Sequence, residues 1–290
     1  MREEDLHQLV RTRVESPGAI AEAAARRTRP ASLLNDRGRL MMIAADHPAR
    51  GALRAGDNAL AMADRVELLD RLVLALSRPG VNGVLGTPDI LEDLLLLGAL
   101  DGKVVVGSMN RGGLAGTAFE IDDRFTAYDA ASIAAAGFEG GKMLTRIDAD
   151  DHATAPTLAA CANAVSDLAG HRLMAMVEPF ISHRVDGRIR NELTVEAMTR
   201  AMTVAAGLGN TSAYTWLKVP IVEEMERAMA ATTLPAVILG GEVSDPDKAF
   251  ASWSKALALP TVVGLVIGRS LLFPPNDDVA GAVDAAVSLL

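Results

Sequence analysis

The sequence is poor in cysteine, lysine and aromatic residues, and each scarcity removes a class of function. One cysteine, Cys161, stands in 290 residues, which excludes an internal disulfide framework and fits a reducing compartment, so the expected location is the cytoplasm. Set in "TLAACANAV", Cys161 reads as a small apolar helix residue rather than a nucleophile. Aromatic residues make up 3% and the net charge is -9. With no basic stripe interleaved with aromatics, neither nucleic acid nor an anionic membrane is an expected partner. No apolar run reaches bilayer length, and the opening "MREEDLHQLVRTRVESPG" is charged and helical rather than a signal sequence. The five histidines, His7, His47, His152, His171 and His183, are not spaced as a ligand set. His47 and His183 belong near one another only in a barrel-mouth reading that supplies no third ligand, so no metal is expected. A glycine-rich dinucleotide fingerprint is missing from the first strand-to-helix turn, and "NRGGLAG" at 110–116 is too irregular to replace it, so no cofactor is expected either.

What the sequence does contain is a regular alternation. Half of it is hydrophobic, and short apolar runs bounded by glycine alternate with longer amphipathic ones. The runs at 40–46, 81–86, 103–109, 140–147, 172–179, 214–220, 235–241 and 262–268 read as eight strands. They are continuously apolar rather than alternating, as in parallel strands covered on both faces. The intervening runs carry helix punctuation: Pro-Gly closing "ADRVELLDRLVLALSRPG", Thr-Pro opening "TPDILEDLLLLGAL", and capping residues opening "SDPDKAFASWSKALAL" and "NDDVAGAVDAAVSLL". Eight such units predict a (β/α)8 barrel as one domain spanning 1–290, with a doubly wound sheet as runner-up. Residues 1–35 form an N-terminal helical extension, read as one extra helix across the barrel. Methionines 41, 42, 174 and 176 read as core filler. The connection after strand three, with its glycines, reads as a mobile or ligand-approaching loop, and "ISHRVDGRIRNEL" as a long connection after strand five.

Charged residues collect at the strand C-termini, where barrel enzymes place their chemistry. Strand one ends in Asp46, strand four carries Lys142, strand five ends in Glu178, and strand six carries Lys218 within "AYTWLKVPIVEE". Lys218 is one of only five lysines, set in an otherwise apolar run where an ammonium group is costly to bury. A lysine in a dry pocket beside a second ammonium loses proton affinity. A neutral amine attacks carbonyls to form a Schiff base, whose iminium withdraws electrons from a neighbouring carbon–carbon bond. Gly240 and Gly241 after strand seven, and Gly268 and Arg269 after strand eight, offer backbone donors and a cation suited to a phosphate.

The stretches "AADHPARGAL", "GGKMLTRIDADD", "MVEPF", "WLKVPIVEE", "VILGGEVS" and "GLVIGRSLLF" lie in order on strands one, four, five, six, seven and eight. This set resembles the class I (Schiff-base) aldolase superfamily, most closely its tagatose-bisphosphate and fructose-bisphosphate class I branch. The resemblance implies Lys218 as the Schiff-base lysine and Glu178 as proton shuttle. It implies that Lys142 lowers the amine pKa and holds an oxygen, and that Asp46 acts on the hydroxyl at the breaking bond. Gly241, Gly268 and Arg269 would hold the phosphate of a dihydroxyacetone-phosphate half. Two departures bear on the sugar: Thr145-Arg146 stand where aromatic residues are usual, and His47-Pro48-Ala49-Arg50-Gly51 replaces a Gln-Arg-Gly turn. Arg50, Arg111 and Arg146 could bind a carboxylate or second phosphate at the far end. Related proteins of inositol breakdown point to 5-dehydro-2-deoxy-6-phosphogluconate, cleaved to dihydroxyacetone phosphate and malonate semialdehyde.

Plainer readings stand beside each residue. Lys218 could snorkel into a structural ion pair, Lys142 could merely partner Glu178, and Asp46 could cap a turn. Gly240 and Gly241 could only make a turn, and Arg269 could pair with a loop acid. The alternatives at the level of function are a deoxyribose-phosphate-type aldolase, an isomerase or epimerase using the acids for proton transfer, and a non-catalytic sugar-phosphate sensor. A homo-oligomer is expected from the alanine-rich helix surfaces.

Overall fold

The computed structural model describes residues 3–241 and 246–290. Two helices come first, α1 (Glu3–Glu15) and α2 (Gly18–Arg26). There follow β1 (Leu40–Ala44), α3 (Arg65–Ser77), β2 (Gly83–Gly86), α4 (Pro88–Leu96), β3 (Val104–Ser108), α5 (Ala130–Ala135), β4 (Gly140–Ile147) and α6 (Thr154–Gly170). The chain continues with β5 (Met174–Val185), β6 (Arg188–Asn191), α7 (Val195–Ala206), β7 (Thr215–Val219), α8 (Met225–Met229) and β8 (Ala236–Leu239). It closes with α9 (Pro246–Leu257), β9 (Val262–Ile267), α10 (Arg269–Leu272) and α11 (Val279–Ser288). All strands but β6 form one parallel sheet, which closes through β1–β9 on one side and β4–β5 on the other. This is the (β/α)8 barrel the alternation predicts.

The period of two in a strand divides its side chains between two cores. Leu40, Met42 and Ala44 of β1, Val104 and Val106 of β3, and Met174 and Met176 of β5 pack inside the barrel with Leu85, Val237 and Val266. Met41 and Ile43 face outward into the helix layer, together with α3, α4, α6 and α7 residues. Continuing each inward row by two residues places Asp46, Ser108, Glu178 and Gly268 above the apolar plug, at the C-terminal mouth. Lys142 and Lys218 occupy inward rows of β4 and β7, where Lys142 is in register with both Ser108 and Met176. The pattern that makes the core apolar thus delivers the charged residues to one layer.

Two expectations about element boundaries are corrected. The N-terminal extension is two helices, not one, because Pro17-Gly18 interrupts the run; α2 packs beside α4, and it is the coil at Leu33 and Leu34 that reaches the barrel interior. Strand five does not stop at 179 but runs to Val185 and turns into β6, an antiparallel hairpin pairing Val185 with Arg188. Asp186 and Gly187 both take positive φ (48° and 75°), the conformation a two-residue hairpin turn requires. Apart from that, and without bearing on the expected approach of this loop to a ligand, two glycines after β3 allow close packing: a Cβ on Gly112 would lie 2.9 Å from that of Arg124, and one on Gly113 would strike the Glu120 carbonyl. Of the expected caps, Asp278 accepts from the Gly281 backbone N–H (2.8 Å), whereas Thr87 stands at the N-cap of α4 without a capping hydrogen bond, its hydroxyl donating instead to Asp89 Oδ1 (2.6 Å). Asp64, not expected, caps α3 by accepting from the Glu67 N–H (2.9 Å). The expected caps at Ser244 and Asp245, and the "EVS" of the strand-seven motif, lie outside the described residues. Among the described residues, no helix is long and apolar enough to cross a membrane.

Candidate functional site

At the barrel mouth, buried charged side chains form a continuous chain of contacts. Lys218 Nζ lies 3.0 Å from Glu178 Oε1. Lys142 Nζ contacts Glu178 Oε2 and lies 3.2 Å from Asp46 Oδ2. Asp46 also accepts from Ser108 Oγ (3.1 Å) and meets Arg111 Nη1 at 3.0 Å. Asp46, Lys142 and Lys218 are 1%, 2% and 4% exposed, so bulk water screens none of these pairs. A lone ion at such depth would cost several kcal/mol, and only the alternation of sign makes the arrangement tenable.

The electrostatics follow from that alternation. Burial alone would raise the Glu178 carboxyl, but Lys142 and Lys218 outweigh it and hold the group down to about 2. For Asp46 the same contest between burial and Lys142, Arg111 and their neighbours ends well below the usual carboxylate range. Burial and the nearby Arg111 pull Lys142 down to about 8 despite its two carboxylates. Desolvation and the cations Arg269, Lys218 and Lys142 push His47 down to about 3, against the pull of Asp46. The ring is therefore neutral near pH 7, and its Nδ1 is buried without a hydrogen-bond partner. Both carboxylates are thus ionised at neutral pH, and Lys142 sits where a proton can be gained or lost.

A second charged group adjoins the first. Arg50, from the turn after β1, and Arg146, near the end of β4, both reach Glu120 Oε1, at 3.3 and 2.9 Å. Glu120 belongs to the long connection after β3, as does Asp123, whose Oδ1 accepts from Gly113 N (3.0 Å). Burial and the neighbouring guanidiniums Arg146 and Arg111 bring Arg50 down to about 10, still a cation at neutral pH. The sequence reading expected Arg50, Arg111 and Arg146 together, and the structure brings them together. It did not expect Ser108, Glu120 or Asp123.

On the far side of the mouth, Gly240 and Gly241 follow β8 and Gly268 and Arg269 follow β9. Gly241 has φ +64°, a conformation side chains rarely adopt, and a Cβ on Gly268 would strike the Ala44 carbonyl, so each turn needs glycine for its own reason. Ser270 Oγ is buried there without a hydrogen-bond partner, 3.3 Å from the Cβ that Gly240 lacks. Arg269 Nη1 donates to the Arg54 carbonyl at 3.0 Å. Among the described residues, no group of three His, Cys, Asp or Glu is placed to hold a metal ion. Cys161 is buried, contacts Thr145 Oγ1 at 3.3 Å and is pushed up to about 11 by burial, which fits its reading as a packing residue.

The sequence matches the family described as Cgl0159-like over residues 38–287. The chain belongs to that family. The crystal structure of Cgl0159 from Corynebacterium glutamicum is 53% identical and superposes with a TM-score of 0.97, covering 100% of this chain and 97% of that one. More distant likeness runs to a Schiff-base-forming fructose-1,6-bisphosphate aldolase (TM-score 0.65, 17% identity, 93% of this chain and 99% of that one). An archaeal fructose-1,6-bisphosphate aldolase, solved with its catalytic lysine covalently bound to the carbinolamine intermediate, gives a TM-score of 0.65 at 16% identity over 93% of this chain and 98% of that one. At such identities the likeness concerns the barrel alone. No curated protein matches the sequence. The Cgl0159-like chain therefore shares its fold with class I aldolases, and its chemistry has to be argued from the mouth itself.

Proposed function

We propose that this Cgl0159-like protein is a class I aldolase, a carbon–carbon lyase that cleaves a phosphorylated ketose through a Schiff base on Lys218. The observation that carries the reading is the unbroken series Lys218, Glu178, Lys142 and Asp46 within one buried layer. A structural ion pair needs one lysine and one acid. Two of each, alternating at the mouth of a barrel, match the needs of a reaction that makes an imine and moves several protons.

Lys218 Nζ attacks the ketone carbon, and the carbinolamine oxygen leaves as water, with the Glu178–Lys142 pair supplying the proton. The iminium then acts as the electron sink. Asp46, held ionised by Lys142 and Arg111, takes the proton of the hydroxyl on the carbon being released. The carbon–carbon bond breaks, its electrons move into the iminium to give an enamine, and the aldehyde departs. The proton taken by Asp46 passes through Lys142 to Glu178, which delivers it to the enamine carbon. Water hydrolyses the iminium to free dihydroxyacetone phosphate and the amine, giving back to the Glu178–Lys142 pair the proton it supplied at the start. Gly240, Gly241, Gly268 and Arg269, with Ser270 added, hold the phosphate. The cycle follows the tagatose- and fructose-bisphosphate aldolases of the resemblance and asks for no metal or cofactor. The six-carbon 5-dehydro-2-deoxy-6-phosphogluconate is a substrate of the required kind.

The test is reduction with borohydride in the presence of dihydroxyacetone phosphate, followed by mass mapping. An adduct on Lys218 is expected. Turnover of a ketose phosphate with no reducible adduct would replace the aldolase by an isomerase or epimerase. A ligand-induced rise in melting temperature with no product at all would replace it by a sugar-phosphate sensor.

A further inference from the structure

The long connection after β3 places a carboxylate inside the mouth. Glu120 Oε1 meets Arg146 Nη1 and Arg50 Nη2, while Oε2 accepts from the Gly116 backbone N–H at 2.8 Å. Two guanidiniums and a backbone N–H make up the donor set that barrel sites offer to a phosphate. Here the chain fills it with its own side chain. The filling is fastened from both ends: Arg50 Nε donates to the Gly113 carbonyl (2.9 Å), Ala115 N to the Arg50 carbonyl (2.9 Å), and Arg146 Nη1 to the Glu120 carbonyl (3.2 Å).

Arg111 is the third arginine of the group, and it is not closed off. Its Nε donates to the Asn110 carbonyl at 2.6 Å and its Nη1 is taken by Asp46, but its Nη2 is buried without a hydrogen-bond partner. Arg146 Nε is in the same condition. A charged donor left without a partner at this depth is costly. With Glu120 already held by Arg50 and Arg146, a carboxylate at the far end of the substrate would supply the acceptor oxygen that Arg111 Nη2 lacks.

We infer that Glu120 is a specificity-determining residue: it occupies the place of a second phosphate between Arg50 and Arg146, so the aldehyde half of the substrate carries no phosphate and ends in a carboxylate received by Arg111. The inference rests on the aldolase reading and, among the phosphorylated ketoses that reading allows, selects those with one phosphate and a carboxylate at the far end.

The experiment runs the reaction in the condensing direction, with dihydroxyacetone phosphate and either 3-oxopropanoate or glyceraldehyde 3-phosphate as acceptor. The wild-type protein is expected to favour 3-oxopropanoate in kcat/KM by at least about tenfold, the scale of losing or stranding a charged contact. Glu120→Gln frees the two arginines and is expected to move the ratio towards the phosphorylated acceptor by at least about tenfold. Parity or a preference for glyceraldehyde 3-phosphate in the wild type overturns the inference, whether or not the variant folds. An unchanged ratio in folded Glu120→Gln overturns the role of Glu120. Borohydride trapping with dihydroxyacetone phosphate alone separates the two levels. An adduct without condensation of the carboxylated acceptor overturns this inference and leaves the Schiff-base reading standing, whereas no adduct and no condensation overturn both.

Discussion

Lys218 Nζ sits 3.0 Å from Glu178 Oε1, and the other oxygen of that carboxylate is held by Lys142. One acid therefore separates two ammonium groups that would otherwise face each other in a dry site. The arrangement ties three strands together and makes the protonation of each member depend on the others. A reaction that turns Lys218 into an iminium keeps the positive charge beside Glu178, so the carboxylate stabilises the intermediate without having to move.

Replacing Lys218 by methionine keeps the length and apolar stem of the side chain and removes the amine. Turnover is expected to fall by about 10^4-fold or more, the scale seen when a covalent nucleophile is lost, and the borohydride adduct is expected to vanish. Lys142→Met tests the division of labour. It is expected to lower kcat strongly while an adduct on Lys218 still forms with dihydroxyacetone phosphate. An adduct that moves to Lys142 in the wild type, seen by mass mapping, would reverse the assignment.

Glu178→Gln keeps the shape but leaves two buried ammonium groups facing a carboxamide. Breaking a buried ion pair on one side costs about 3–5 kcal/mol, and denaturant unfolding near neutral pH is expected to report a loss of that order. Acid titration of the wild-type protein makes the same point. Glu178 is held at about 2, below its ordinary 4.5. A carboxyl depressed on folding adds stability above its unfolded value and loses it as pH falls towards the folded one. The unfolding midpoint of the wild type is therefore expected to drop between about pH 4.5 and 2, with a weaker drop over that window in Glu178→Gln.

Lys142 titrates from the other side. Burial and Arg111 bring it from 10.5 to about 8, so the folded protein releases this proton before the unfolded chain does. Its protonated form is thus the less stable partner of the fold, and its own contribution to stability increases as pH rises from about 8 to 10.5. Activity should run the opposite way. A neutral Lys142 no longer supplies protons, and kcat is expected to fall on the alkaline side with an apparent value near 8 that belongs to the coupled cluster. A kcat profile flat from pH 7 to 10 would remove Lys142 from the proton path.

Much of this was legible in the residues, for physical reasons. The eight barrel strands announce themselves because parallel strands are buried on both faces, and the inward rows that carry Met42, Val106 and Met176 lead by a period of two to Asp46, Ser108 and Glu178. Ser108 escaped notice because a serine after an apolar run is ordinary. Glu120 and Asp123 escaped because a long loop has no period, so nothing in the spacing of "AFEIDDRF" tells which acid turns inward to Arg50 and Arg146. The hairpin was within reach: Asp186-Gly187 between "HRV" and "RIR" is a hairpin turn signal, hidden by so polar a strand. Pro17-Gly18 likewise marks the break between α1 and α2.

The N-terminal arm offers a prediction that isolates the fold from the chemistry. Arg27, at the end of α2, has a side chain only 1% exposed. It donates to the Gly137 carbonyl (2.6 Å), to Glu139 Oε1 (2.9 Å) and to the Lys103 carbonyl (2.8 Å). Glu139 in turn accepts from the Val105 N–H at 2.8 Å. These groups lie where β3 and β4 begin, at the end of the barrel opposite the charged mouth, where residues serve stability rather than chemistry. Arg27→Ala strands Glu139 with the half-exposed Arg29 as its remaining cation and leaves two carbonyls without that donor. A loss of about 3–5 kcal/mol is expected in denaturant unfolding. In a preparation verified as folded at low temperature, kcat/KM is expected to stay within about twofold of wild type, since no residue of the mouth loses a partner. A large fall in kcat/KM of the folded variant, with its stability intact, would show that the arm acts on the mouth through the barrel and would move the N-terminal helices from scaffold to mechanism.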